Sequence, residues 1–163
     1  MRCDVVTSGS NHFSVSDEQG KPLGEMKLDW VFNSKADISI AEGNNYKITT
    51  TGFWGTAKVV LKNGVPYAEI KPTFSHGIII TFENGQAFHF KKKSVWSMSD
   101  YRLLSDATGE EVAMANSRFR MNGLKFDYEV EIYQPLYDRE ANVLLPFLLL
   151  YCIKLLRMRG AAA

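Results

Sequence analysis

The chain has 163 residues, of which 45% are apolar and 23% charged, as in ordinary folded proteins. Its formal net charge of +1, from 19 basic and 18 acidic residues, excludes the broad positive field with which a protein holds nucleic acid. The length predicts one domain, residues 1–160, and the absence of an apolar run at the amino terminus favours a cytoplasmic location over secretion.

Short turn sequences separate apolar runs along most of the chain. Asn-Gly suits the two-residue turns of β-hairpins because both residues tolerate positive φ. The runs between the turns alternate apolar and polar residues, which predicts eleven or twelve strands from about residue 3 to residue 133 in an antiparallel meander. The turns are DEQG ending at Gly20, EGNN at 42–45, KNG ending at Gly64, ENG ending at Gly85, ATGE around Gly109 and MNG ending at Gly123.

The same alternation assigns a face to each strand side chain. In TAKVVLKN, it places Ala57, Val59 and Leu61 on the inner face and two lysines, Lys58 and Lys62, on the outer face. In QAFHFKKK, it places two phenylalanines inside and His89, Lys91 and Lys93 outside. So many strands must close into a barrel or split into a sandwich, because one long open sheet would expose its edges.

The most apolar stretch, Val143 to Leu156, comes near the end of the chain. As a helix it rises about 21 Å, whereas a bilayer core of about 30 Å needs about 20 apolar residues, so no membrane span is expected. A helix that is apolar on every side needs apolar surroundings, and a twelve-stranded barrel needs its lumen filled. We therefore expect this helix inside the barrel. It starts either near Asp138, with a bend at Pro146, or at Asn142 as its cap.

Several segments carry a family resemblance: GVPYAEIK at 64–71, FHFKKK at 88–93, DATGEEVA at 106–113, FDYEVEI at 126–132 and the closing DREANVLLPFLLLY. From about Val5 to Arg157 the chain resembles the tubby C-terminal-like fold of tubby proteins, phospholipid scramblases and plant LURP-one-related proteins. The likeness is greatest to the last two groups. It implies a closed twelve-stranded barrel around a central carboxy-terminal helix. Unlike scramblases, the chain offers only Asp138 and Glu140 before the helix where they carry a calcium-binding stretch, and it has no cysteine cluster.

A basic patch is the candidate site. If the outer faces of consecutive strands adjoin, their cations form one patch that attracts anionic lipid headgroups at about 1 kcal/mol per charge. The alternative is that these side chains only solvate the barrel exterior, with Glu69 and Glu83 among them. The candidate lipid-binding residues are Lys58, Lys62, Lys71, His89, Lys91 and Lys93.

Catalytic and cofactor signatures are missing from the sequence. It contains no phosphate-binding glycine loop and no nucleophile elbow. The histidines His12, His76 and His89 are too scattered for a metal site, so we expect no metal and no cofactor. Cys3 and Cys152 could form one long-range disulfide, but two free thiols are expected, the second inert in the core. The tryptophans Trp30, Trp54 and Trp96 are expected in the core.

These observations favour a non-enzymatic, cytoplasmic binding or scaffold module with an unknown protein partner. The alternative is a peripheral membrane protein that binds anionic phospholipid, such as phosphoinositide, through the lysines, or that has a scramblase-like lipid role. An enzyme or small-ligand carrier would need a polar cavity beside the helix.

Overall fold

The structure is a computed structural model. It describes residues 1–29, 35–52, 55–75, 77–94, 96, 99–121, 123, 125–136 and 138–161. Twelve strands are followed by one helix, as the resemblance implies. The strands are β1 Arg2–Ser8, β2 His12–Asp17, β3 Pro22–Asp29, β4 Lys35–Ile40, β5 Asn45–Thr51, β6 Ala57–Lys62, β7 Val65–Pro72, β8 Ile78–Phe82, β9 Ala87–Lys92, β10 Asp100–Ser105, β11 Glu111–Arg120 and β12 Lys125–Ile132; the helix α1 spans Arg139–Ala161.

The strands form a closed antiparallel barrel. Each strand pairs with its neighbours in sequence, and β1 closes the barrel on β12 with Cys3 opposite Val130. Closure leaves no free sheet edge, whereas an open sheet of this size would expose the unpaired N–H and C=O groups of its edge strands. The predicted fold class, a mainly β, closed antiparallel barrel around a carboxy-terminal helix, is confirmed.

Helix α1 fills the barrel lumen. All its residues from Leu144 to Ile153 are buried, and they pack with the inward side chains of the strands in one apolar cluster. By length and composition alone, Arg139–Gly160 could cross a membrane, but 72% of its most apolar window is buried inside the barrel. The prediction that this helix forms the centre of the barrel is therefore confirmed.

Asp138 caps the start of the helix. Its Oδ1 accepts a hydrogen bond from the backbone N–H of Ala141 at 2.6 Å, as an N-cap carboxylate does. The side chain of Asn142 instead accepts from the backbone N–H of Leu136 at 2.8 Å and donates to the carbonyl of Asp138 at 2.7 Å. Of the two starts that the sequence left open, the one near Asp138 is right, and Pro146 lies inside the helix.

The face assignment of β6 is wrong. Lys58 and Val60 are buried on the inner side of this strand, with only 6% of Lys58 exposed, whereas Val59 is half-buried on the other side. The inner face of a strand that crosses a barrel need be apolar only at mid-height, because both of its ends approach water. Lys58 and Lys62 therefore flank the single core residue Val60, one toward each end of the barrel.

A basic and aromatic mouth of the barrel

The barrel has two chemically different ends. In an antiparallel meander, successive turns fall alternately at opposite ends. We call the end where α1 begins the acidic mouth; its segments, as far as the structure describes them, are 18–21, 41–44, 63–64, 83–86, 106–110, 133–136 and 138. We call the end where α1 finishes the basic mouth; its described segments are 9–11, 52, 55–56, 73–75, 77, 93–94, 96, 99, 121 and 123.

Charge is separated between these ends although the net charge is close to zero. The sequence of the basic-mouth segments contains no aspartate or glutamate. The acidic-mouth segments contain one basic residue, Lys21, and a set of carboxylates: Glu18, Glu42, Glu83, Asp106, Glu110 and Asp138. The arrangement complements the helix dipole, because carboxylates lie at the end of the barrel where the positive amino end of α1 is found and are absent from the sequence of the segments at its negative carboxyl end.

Large apolar side chains project from the basic mouth. Phe74, Trp96 and Met121 come from three different connections, and their exposures are 105%, 91% and 84%. Phe119, Phe126 and Met158 are also exposed at this end, and the first two rings pack together with centroids 5.2 Å apart. The expectation that Trp96 lies in the core is therefore wrong, because this residue lies in the connection between β9 and β10 and not in a strand. Trp30 and Trp54 lie outside the described residues.

Cations surround these apolar side chains. Lys91 lies on the outer side of β9 and Lys92 at its end, and Lys93 follows, exposed. In the part of the chain that the structure describes, none of these three makes an ion pair. On the helix end, Arg157 is held in place: it donates to the Tyr128 hydroxyl at 2.9 Å and to Ser117 Oγ at 3.0 Å.

The structure does not bring the predicted site residues into one patch. Lys62 lies at the acidic mouth, where its ammonium donates to Glu140 at 2.6 Å. Lys71 is on the outer wall and pairs with Glu69 at 2.9 Å.

The remaining candidates are dispersed too. Lys58 is inside, near the basic mouth, so it is not part of an outer face. His89 is on the outer face of β9 opposite Ile79, as predicted, but its Nε2 is buried. Only Lys91 and Lys93 stand where a surface patch requires them.

The other titratable groups do not form a second site. Cys3 and Cys152 are both buried, and burial raises the pKa of both thiols, that of Cys3 to about 11, which makes them poor nucleophiles. His12 contacts Glu25 at 3.0 Å, and His76 lies outside the described residues. Within those residues, no three histidine, cysteine or carboxylate side chains are grouped as metal ligands.

Strand alternation could not predict the basic mouth, because it assigns faces to strand residues and says nothing about the turns between them. A usable signal was present: in a meander, every second turn falls at the same end. The alternate turns GSN, TFSHG and KSVWSMS lack acids, and the last two carry aromatic residues, whereas EQGK, AEGN and ENGQ carry acids.

Comparisons with known proteins support the fold. No known protein family matches the sequence, and no curated protein matches it. Among solved structures, the X-ray structure of protein AT5G01750 from Arabidopsis thaliana is similar, with a TM-score of 0.55 and 14% identity over 91% of this chain and 89% of that chain. At this identity the likeness shows the fold alone. The closed twelve-stranded barrel around a carboxy-terminal helix fits the tubby-like fold that the sequence resembles.

Proposed function

We propose that this protein is a peripheral binding module that places its basic mouth on an anionic phospholipid surface. The observation that carries the proposal is the coincidence, at one end of the barrel, of exposed apolar side chains and of lysines that make no ion pair among the described residues. The connecting segments at this end carry no carboxylate in the sequence. We further propose that it is a cytoplasmic relative of the LURP-one-related and scramblase-like proteins and that it is not an enzyme.

The exposed apolar side chains suit the apolar inner part of a membrane interface, and the lysines suit its anionic headgroups. Phe74, Trp96 and Met121 stand on separate connections, which allows them to enter the headgroup region together. Burying each of them contributes about 1.5–3 kcal/mol. Each nearby lysine adds about 1 kcal/mol of attraction to an anionic leaflet.

A scaffold function with a protein partner stays a prediction. A protein interface generally presents a contiguous apolar core with a polar rim. Here the most exposed apolar side chains, Phe74, Trp96 and Met121, stand on three different connections, which favours a deformable lipid surface over a folded partner.

Vesicle sedimentation tests the proposal. The native protein should sediment with phosphatidylcholine vesicles that contain phosphatidylserine, and less so as salt is raised or when phosphatidylserine is left out. Replacing Phe74 and Trp96 together by serine should weaken binding by about tenfold or more. Lys91→Glu with Lys93→Glu should weaken it as well.

The matched control is Val65→Ser, which removes a side chain that is 63% exposed at the acidic mouth. This variant should bind as the native protein does. If the native protein does not sediment with anionic vesicles, or if Val65→Ser weakens binding as much as the basic-mouth variants do, the proposed function is wrong.

A further inference from the structure

A cavity of about 510 Å³ opens at the basic mouth, beside the end of α1. Its walls are the start of β6, the end of β7 with the connection that follows, and the last turns of the helix. This volume falls in the range of small-ligand sites. Its lining includes Lys58, Lys71, Phe74, Leu155, Met158 and Arg159.

Lys58 is a buried cation that lacks a counter-ion among the described residues. Its ammonium donates to Thr50 Oγ1 at 2.9 Å and to the Gly55 carbonyl at 3.0 Å. An ammonium has three N–H donors, so one is left over. No carboxylate of the described chain forms an ion pair with it, and burial lowers its pKa. An uncompensated buried charge is costly, and an anion in the cavity would offset that cost.

The rest of the lining suits an anionic amphiphile. None of the described residues that line it is acidic. Arg159 is a second cation, with Nη1 3.4 Å from the carbonyl of Thr73. Lys71 is neutralised by Glu69 and adds little. Phe74, Leu155 and Met158 supply an apolar wall, and Phe74 and Met158 continue into the exposed surface that would face the lipid.

We infer that this cavity binds the phosphate of a single membrane lipid whose headgroup ends in a phosphomonoester, with Lys58 and Arg159 as its ligands. The inference rests on the proposed function and gives it a lipid class. Lys58 is 6% exposed, so a terminal phosphate reaches it, whereas a phosphodiester is covered by its own headgroup. Two cations also match the charge of a phosphomonoester, which approaches −2 at neutral pH. The lipid glycerol and first acyl carbons would lie against Phe74 and Met158.

The experiment compares vesicles of equal surface charge that contain either phosphatidic acid or phosphatidylserine. The native protein should bind the phosphatidic acid vesicles about tenfold more tightly, because each charge-assisted hydrogen bond in a dry site is strong. Lys58→Met and, separately, Arg159→Gln each remove one charge at the basic mouth, so binding to both vesicle types should fall by up to about fivefold. The preference for phosphatidic acid should fall further, to near unity. Arg139→Gln, which removes one positive charge at the acidic mouth, is the matched control and should keep the preference.

Arg159 is exposed, so its variant should fold even if Lys58→Met does not. A second measurement follows the Lys58 ε-carbon by NMR in the native protein while short-chain phosphatidic acid or inorganic phosphate is added. A shift with the lipid at much lower concentration than with inorganic phosphate supports the inference. Equal binding of both vesicle types, or equal response to free phosphate, overturns it while leaving the proposed function intact. Failure to bind either vesicle overturns the proposed function.

Discussion

The Lys62 ammonium donates a hydrogen bond to the Glu140 carboxylate at 2.6 Å, and this contact joins the barrel wall to the first turn of the central helix. The hydroxyl of Tyr46 donates to the same carboxylate. Hydrogen bonding to Glu140 raises the pKa of Lys62. Burial by itself would raise the pKa of Glu140, but the hydrogen bonds from Lys62 and Tyr46 outweigh it and lower that pKa overall.

Glu140→Gln should therefore lower the free energy of unfolding at neutral pH. Because folding lowers the pKa of Glu140, its contribution is present above the ordinary value of 4.5 and is lost as pH falls through the folded-state pKa. In urea unfolding, the difference in stability between the native protein and the variant should shrink as pH falls below 4.5. The control is Glu42→Gln, whose partner Arg139 is 81% exposed; such a pair contributes little, so this variant should match the native protein. A constant difference between native protein and Glu140→Gln from pH 3 to pH 7 would contradict the prediction.

The barrel and its helix could be predicted from the sequence because they depend on local patterns along the chain. Alternation and Asn-Gly turns define strands, and a run such as Val143 to Leu156 that is apolar on all sides must be enclosed. What alternation cannot give is the height of each residue in the barrel. Lys58 and Lys62 lie on the same inward face of β6 as Val60. Charged residues are tolerated there because each lies near one of the two mouths.

The candidate site was harder to foresee for a related reason. The lysines of a strand pattern look alike in sequence, but Lys71 has a carboxylate partner on its own strand and Lys62 has one on the helix, 78 residues away. Pairing across such a distance is decided by packing. Net charge also hides the polarity of the barrel, since the 19 basic and 18 acidic residues nearly cancel in the sum over the chain.

A close approach at Gly24 predicts a large effect of adding one methyl group. Gly24 faces the interior from β3, and a Cβ there would lie 3.1 Å from Cζ of Phe147 on the helix and would overlap the backbone oxygen of Ser39 on β4. Neither neighbour can withdraw easily, because one is the paired strand and the other a buried ring. Gly24→Ala should cost about 3 kcal/mol of unfolding free energy, the upper end for overpacking.

Gly160→Ala is the matched control for that substitution. No atom lies within 4 Å of a Cβ at this exposed helical position, so alanine should be neutral or stabilise by up to about 1 kcal/mol. Chemical denaturation of both variants checks the pair. Equal stability of Gly24→Ala and the native protein would show that helix and barrel do not pack as closely as described.

Lys154 predicts a distinctive dependence of stability on pH. Its ammonium lies 5.0 Å from the ring centroid of Phe13 and 5.6 Å from that of Tyr128, and the structure gives it no ion pair among the residues it describes. Burial, helped by the nearby charge of Arg157, lowers its pKa from 10.5 to about 8. Between these values the unfolded chain binds more protons than the folded one, so this group makes the protein more stable as pH rises.

Two substitutions isolate the contribution of Lys154 to stability. The titration of every other group is shared by native protein and variant, so it cancels in the difference between their unfolding free energies at each pH. Lys154→Met removes the charge and keeps the apolar stem, so its advantage over the native protein should be greatest near pH 7 and shrink toward pH 10. Lys154→Arg keeps the charge throughout, so it should lose stability relative to the native protein over the same range. Urea unfolding at several pH values measures both differences. Parallel profiles for native protein and Lys154→Met would mean that Lys154 titrates in the folded protein as it does in the unfolded chain.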